Sequence, residues 1–429
     1  MKGRLLALAA WVITATVQAA PFQTMDPRTL GMGGAAVAGA TSAAAAFYNP
    51  ALLANARKEE DFALELPVAA VEINDPSGLQ DEIRAFDDND YISNYAQAIA
   101  DFNQVLSDPG ATPSQVLAAR DRVVNSGYAL LDGLNALSGK PLLLQANAAA
   151  LLGIPSRRFA VSLYANGWGG GSVAGIMSQA DYQAAKSTLD DAAAVDPNDP
   201  ATWISAALTD PTPDFTSALR GRFLQVNEVG LALARRLELF GGLAVGVTPK
   251  WQQVTAYEFN YVASALDQAE LDPFRDGRSY GDFNLDVGLA RSLNELWRVG
   301  LSVKNLLPRR YETNLGTAIE LDPQWRLGVA RAGRWLSWTV DLDLSENAPY
   351  ALGDPSRMLA LGGEWNAWNV MLLRLGYRTD LAGSLGDILT AGLGFNLLGL
   401  HVEAGVGVGT EDFQSFDTLA ASAQLGFRF

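Results

Sequence analysis

The sequence has one histidine, His401, two residues before Glu403. An imidazole beside a carboxylate could serve a hydrolase if a hydroxyl such as that of Ser422 converged on it and an oxyanion site lay nearby. Nothing in the spacing brings these together. Residues two apart share one face of a strand, so His401 and Glu403 read as polar residues on a single strand face. Cysteine is absent, which removes thiolate and disulfide chemistry. The run Gly167-Trp168-Gly169-Gly170-Gly171 lacks the lysine and the spacing of a phosphate loop. It reads as a turn ending a strand, or as a kink that opens a wall sideways. No cluster has metal-ligand spacing. No catalytic residue, cofactor or metal is expected, and the chain does not read as an enzyme.

The remaining charges call for a different setting. Asp286, Arg298, Asp341, Arg374, His401 and Glu403 all fall on the polar parity of alternating segments. Asp282, Lys304, Asp343, Glu364, Arg378 and Arg428 share that parity. Both signs are present, so a narrow interior could hold them as an ion-pair lattice, or as a ladder touched by a passing solute.

Such an interior needs a closed wall. Fourteen segments have the length and period-two alternation of spanning strands: 61–72, 142–152, 158–168, 223–237, 241–256, 280–292, 296–305, 323–332, 334–345, 357–366, 368–378, 387–397, 399–409 and 418–429. In one of the clearest, Phe283, Leu285, Val287 and Leu289 alternate with Asp282, Asn284, Asp286 and Gly288. Long connectors (73–141, 169–222, 257–279, 306–322, 346–356, 379–386, 410–417) alternate with short ones without exception, the pattern of long outer loops and short periplasmic turns. The fold expected is an all-β transmembrane antiparallel barrel of about 14 strands with both termini in the periplasm. Phe240, Trp297, Trp335, Trp365 and Trp368 lie near short turns, where an interfacial aromatic girdle belongs. Phe427 and Phe429 close an alternating final strand, which is similar to the terminal signal read by bacterial barrel-assembly machinery.

The rest of the chain fits an exported protein. Lys2 and Arg4 precede an apolar stretch and small residues up to Ala20, so residues 1–20 read as a signal peptide. Without those two cations the formal charge of −16 becomes −18, which excludes a basic nucleic-acid surface. Residues 21–60 are rich in Gly and Ala and too short for a domain, so they read as a tether or a plug. Residues 61–429 form the barrel. The outer loops 73–141 and 169–222 carry helical periodicity, with starts at Thr112-Pro113-Ser114-Gln115, Ser178-Gln179-Ala180-Asp181 and Asp199-Pro200.

Gly31-Met32-Gly33-Gly34-Ala35 followed by Phe47-Tyr48-Asn49-Pro50-Ala51 resembles the N-terminal hatch of the FadL-like outer-membrane transporters for hydrophobic compounds. That resemblance implies a fourteen-stranded barrel with a plug, and marks Gly31, Gly33, Gly34, Asn49 and Pro50 as plug residues. The remainder resembles the TraF-like, or conjugal-transfer TraF, outer-membrane family. This second resemblance rests on NEVGLALAR (227–235), VGVTPKWQQV (245–254), FNLDVGLA (283–290), RVGLSVKNLLPRRY (298–311), VDLDLSEN (340–347) and LRLGYR (373–378). The two together imply a Gram-negative outer-membrane protein. Its expected partners are outer-membrane lipid and the assembly machinery. Two functions stay open on the sequence: passive transport of a hydrophobic small molecule, or a structural role with a protein partner in an envelope assembly such as a conjugation apparatus.

Overall fold

The computed structural model describes residues 18–19, 22–55, 62–156, 158–199, 203, 207–211, 214–238, 241–262, 272–348, 352–368, 370–410 and 418–428. Its centre is a closed antiparallel barrel of fourteen strands. They are β1 (Ala63–Asn74), β2 (Pro141–Ile154), β3 (Ala160–Ile176), β4 (Ala218–Leu237), β5 (Leu243–Val262), β6 (Arg278–Ser292) and β7 (Trp297–Lys304). The second half comprises β8 (Gln324–Ala332), β9 (Leu336–Asp343), β10 (Met358–Ala367), β11 (Met371–Asp380), β12 (Ile388–Leu397), β13 (Leu400–Gly409) and β14 (Thr418–Arg428). Each strand pairs with the next, and β14 pairs with β1 to close the wall. Closure leaves no unpaired edge, which is what lets a sheet cross lipid.

All fourteen expected segments are strands, but the outer ends of three run further than the sequence suggested. β3 continues to Ile176, β4 begins at Ala218 and β5 reaches Val262. Beyond the lipid the outward parity no longer has to be apolar, so Gln225 and Thr255 pair there while the alternation fades. The Gly167–Gly171 run is therefore neither a turn nor a lateral opening. It pairs without a register break with Ala148–Leu144 on one side and Asn227–Phe223 on the other. The second long loop accordingly begins after Ile176, not at 169. One true irregularity sits at the seam, where the register shifts between Glu65 and Val68 and between Gln424 and Gly426. Pro67 has no N–H to give to a ladder, and a bulge is where a strand accommodates it. The bulge turns both Glu65 and Val68 inward, where both are buried.

The exterior is an apolar belt. Leu361, Leu375, Leu389, Val402 and Val406 are each more than 40 % exposed, while their neighbours in sequence face the lumen. Trp335, Trp365 and Trp368 are exposed at the short-turn end, and Trp335 stacks edge-on against Trp368 at 6.4 Å. Trp251 and Phe283 are cross-strand partners further along the wall and are also exposed. Together they form the two aromatic girdles of a transmembrane barrel. Phe240, Phe429, Pro200 and nearly all of the leader lie outside the described residues. Among the described residues no helix is long and apolar enough to cross a membrane.

Residues 22–55 lie inside the barrel. They contain α1 (Pro27–Gly31), α2 (Ala45–Tyr48) and a 3₁₀ turn at Pro50–Asn55. The outer loops build a helical cap from α3 (Leu79–Asp88), α4 (Tyr91–Ser107), α5 (Pro113–Leu137) and α6 (Gln179–Ala193). Thr112 and Gln115 form the reciprocal capping box of α5, with Thr112 N–H donating to Gln115 Oε1 at 2.8 Å. α3 follows Gly78 in a left-handed conformation (φ 66°), and its first two N–H groups, of Leu79 and Gln80, are taken by the Asp75 carboxylate at 2.7 Å each, a start that helical spacing alone did not reveal. The cap has its own core, with Tyr95, Phe102, Val123, Leu130 and Leu189 all buried. The loop at 306–322 folds as a small ribbon, Arg309–Glu312 against Ala318–Leu321.

Candidate functional site

The site is the lumen and the plug that fills it. Asp26 begins α1 as its N-cap, accepting from Thr29 N–H at 3.1 Å. Tyr48 O–H donates to the other Asp26 oxygen at 2.6 Å and accepts the Met25 N–H at 2.8 Å. This node folds the two ends of the plug onto each other. Asn49 follows at once. Its side-chain amide donates to Val37 O within the plug (2.8 Å) and to Leu289 O of β6 (3.1 Å), while Oδ1 accepts from Ala51 N–H. Pro50 starts the 3₁₀ turn and is buried. Gly33 and Gly34 take positive φ (71° and 91°) at the end of α1, where side chains are strained.

The wall is shaped to receive this segment. A Cβ at Gly300 would stand 2.5 Å from Val37 O, and one at Gly362 would stand 2.5 Å from Met32 Cα and O. Gly31 is packed against Gly392 in the same way, its Cβ position 2.9 Å from that Cα. The glycines of the lumen parity are therefore seats for the plug backbone. Polar anchors complete the fit. Asp341 Oδ2 accepts both Ala36 N–H (2.7 Å) and Val37 N–H (2.8 Å). Thr390 Oγ1 accepts Gly33 N–H at 3.0 Å, Ser302 Oγ donates to Tyr48 O at 2.6 Å, and Arg298 donates to Ala38 O at 3.4 Å.

Two ion clusters flank the plug. In the first, Arg28 of α1 pairs with Glu364 (2.9 Å), Glu364 with Arg374 (2.8 Å), and Arg374 with Glu403 (2.7 Å). Arg428 joins Glu403 to Glu65, which also takes His401 Nε2 at 2.6 Å. This chain runs from the plug to the seam of the barrel. In the second, Lys250 lies 3.0 Å from Asp286 and 3.4 Å from Glu228. Thus Arg374, His401 and Glu403 come together, Asp286 belongs to the other cluster, and Arg298 and Asp341 hold the plug. Ser422 Oγ donates to Ala69 O, and His401 meets Glu65 and Gln424, so no nucleophile is set against the imidazole. Among the described residues no group of His, Cys, Asp or Glu is arranged to hold a metal ion.

Arg28, Glu65, Glu228 and Lys250 were not singled out by sequence, nor was Arg326, which pairs with Asp343 and donates to Gly34 O of the plug at 3.4 Å. Glu228 and Lys250 carry the same signal as Asp286, the polar parity of an alternating strand. Glu65 escapes that rule because the Pro67 bulge shifts the parity of β1. Arg28 had no signal, since a plug has no period.

The lumen is not uniform. Trp168, Leu224, Val226, Val254 and Ala256 are buried on β3–β5 and form one continuous apolar wall. Their cross-strand pairing runs Trp168–Val226–Val254–Tyr280. Tyr311 of the loop ribbon closes over it, 5.4 Å from the Tyr280 ring. The Glu228–Lys250–Asp286 cluster lies on this same wall, on β4–β6 toward the short turns, while the first cluster spans β10–β14 and the seam at Glu65.

Comparison with solved structures finds barrels of this architecture. The Ralstonia pickettii toluene transporter TbuX aligns with a TM-score of 0.50 and 12 % identity, covering 95 % of this chain and 99 % of its own. A Pseudomonas aeruginosa FadL homologue gives 0.50 and 12 %, covering 97 % and 100 %. The CymD monoaromatic hydrocarbon channel gives 0.50 and 11 %, covering 96 % and 99 %. At such identity the likeness is one of fold. Comparison with curated protein sequences gives no match. The family model described as F plasmid transfer operon, TraF, protein matches residues 46–343, which takes in the plug motif from Ala46 and the wall through β9. Neither that family nor these neighbours are enzymes. With most of its length matched, the chain belongs to the F plasmid transfer operon TraF protein family.

Proposed function

We propose that this protein is an outer-membrane channel for small hydrophobic molecules, exported with a cleaved leader and gated by its plug. The observation that carries this reading is the continuous apolar patch of Trp168, Leu224, Val226 and Val254 inside the barrel, which the apolar residues of the plug cover while polar side chains of the wall hold the plug in place. Asp341, Thr390, Ser302 and Glu364, which hold it, all lie on β7–β12. A solute that cannot be hydrated gains by following Trp168, Leu224 and Val254, at about 25 cal/mol per Å² of apolar surface removed from water. The transport of toluene or monoaromatic hydrocarbons named for two barrels of the same fold supports this class of solute. The test is uptake of a radiolabelled monoaromatic hydrocarbon by cells with and without the protein, with Leu224→Glu as the lumen variant. Expected is faster uptake that the substitution abolishes. Equal uptake with and without the protein rejects the reading.

A second reading has its own support. The cap of α3–α6 has a separate core, more than a pore mouth requires, and the family name refers to a transfer operon. In that reading the barrel anchors a surface that meets an envelope protein. Retention of an envelope protein by the intact barrel, lost when 79–137 is excised, would favour it over transport.

A further inference from the structure

The helical cap carries a groove of about 660 Å³ between α4 and α5, unconnected with the lumen. Its volume is in the range of ligand sites. Its rim is made of uncharged polar side chains: Asn89, Asn94 and Gln97 on one bank, Asn125 and Ser126 on the other. Ala98 is buried beneath it, and Ala118 and Ala129 line it from α5. Tyr91 stands at one end, braced by Phe86 with ring centroids 5.4 Å apart.

This composition departs from the rest of the cap. α3 bears Asp81, Glu82, Asp87 and Asp88, and α6 ends near Asp190 and Asp191. In the groove the charges are Asp121 and Arg122, and Arg122 is matched by Asp101 at 2.9 Å. Several amide N–H groups are already used locally. Asn94 donates to Asn89 O at 2.8 Å and Gln97 to Asp101 at 2.7 Å, which orients their carbonyl oxygens. Fixed amides supply both donors and acceptors without net charge. The alanines supply small apolar surface, and the Tyr91 ring supplies a flat one with a polar tip. That inventory fits a polyhydroxylated, uncharged chain with alternating polar edges and apolar faces. It fits poorly the apolar core of a protein interface, and it offers nothing to a phosphate backbone.

We propose that the groove between α4 and α5 binds uncharged sugar residues of the lipopolysaccharide polysaccharide in the membrane around the barrel. The long loops stand at the outer end, so the cap rises into the layer these chains occupy. Binding there would fix the cap against its own membrane.

The experiment uses the full-length protein in phospholipid nanodiscs free of lipopolysaccharide. The probe is O-polysaccharide of uncharged sugars released by mild acid from smooth lipopolysaccharide, titrated calorimetrically. Saturable binding is expected, at least tenfold weaker in Asn94→Ala/Asn125→Ala and unchanged in Asp190→Ala, which lies off the groove. A second readout does not depend on that double variant folding. The chain has no native cysteine, so Ala118→Cys is a unique label site, and the polysaccharide should slow its reaction with a maleimide. The proposal is overturned by absence of saturable binding, by equal affinity in the double variant, or by maleimide labelling of the Ala118→Cys variant that the polysaccharide does not slow. Binding confined to the phosphorylated inner-core oligosaccharide would also overturn it, since that would assign recognition to cations bridging the acidic surface.

Discussion

Glu364 sits between two guanidinium groups, Arg28 of the plug and Arg374 of the wall, so one carboxylate couples the plug to the barrel. Arg374 keeps Glu403 if Glu364 is neutralised, whereas Arg28 keeps only Gly39 O. Glu364→Gln should therefore loosen the plug without opening the wall. A hydrogen bond to a charged group contributes about 1.5–3 kcal/mol, which corresponds to roughly a ten- to hundredfold rise in the fraction of time the plug is released. Single-channel recording in planar bilayers should show more frequent openings at unchanged heat-modifiability. A variant as quiet as the parent would show that Arg28 is not a latch. Asp286 faces a cation, Lys250, at 3.0 Å. Asp286→Asn leaves Lys250 with Glu228, so its cost should stay below that of Leu285→Arg, which places a charge on the lipid face at about 2–4 kcal/mol. A folding titration in lipid vesicles ranks the two, and the reverse order would mean that the faces of β6 are assigned wrongly.

At the scale of elements, α6 is tied to the residues just before β4 at its first turn, where Ser178 N–H donates to Ser217 Oγ at 3.0 Å and Asp181 makes the remaining bonds. Asp181 accepts from Thr216 Oγ1 (3.0 Å) and Ser217 Oγ (2.6 Å), and also from the Ser217 N–H. Burial alone would raise this carboxyl, but the bonds from Ser217 and Thr216 outweigh it and hold it below the ordinary carboxylate range. A carboxylate depressed in the folded state stabilises it fully above its unfolded pKa, and that contribution is lost as pH falls through the folded value. The attachment of α6 should then persist down to about pH 4 and loosen below it. Limited proteolysis across that range is expected to cut first near 179–217, while Asp181→Asn should show the cuts already at neutral pH. An acid transition that is identical in parent and variant would remove Asp181 from this role. The helices themselves were readable where caps announced them, as at Thr112 and Ser178. α3 was not, because its first N–H groups are capped by Asp75 from before the left-handed Gly78 and not by a residue at the N-cap position itself. Strand existence was readable because lipid enforces alternation. Strand ends were not, because backbone pairing continues into water after that constraint stops.

For the whole molecule, alternation and loop lengths made the barrel legible, and a short motif pointed to the plug. The seating of one in the other was not legible, since it depends on glycines such as Gly300 and Gly362 that look like any small lumen residue. Their placement bears on how separable the two parts are. Every barrel strand pairs with two neighbours, and among the described residues none of the plug takes part in that ladder. Removing residues 24–50 would strip Asp341 of two N–H donors, Thr390 of one, and Ser302 of its acceptor. These groups would not be left buried and unsatisfied, because the vacated lumen admits water that can solvate them. The cost falls instead on the apolar wall, where Leu224 and Val226 lose part of their cover, and the closed ladder remains. A chain with the leader kept and residues 24–50 deleted should therefore still assemble as a heat-modifiable barrel. Its conductance should rise well above that of the parent. If conductance rises but monoaromatic uptake does not, the plug is a gate and the solute class is wrong. If the deleted chain folds and conducts no more than the parent, closure belongs to the ribbon at 309–321 that covers Tyr280, and the plug is only a filling of the lumen.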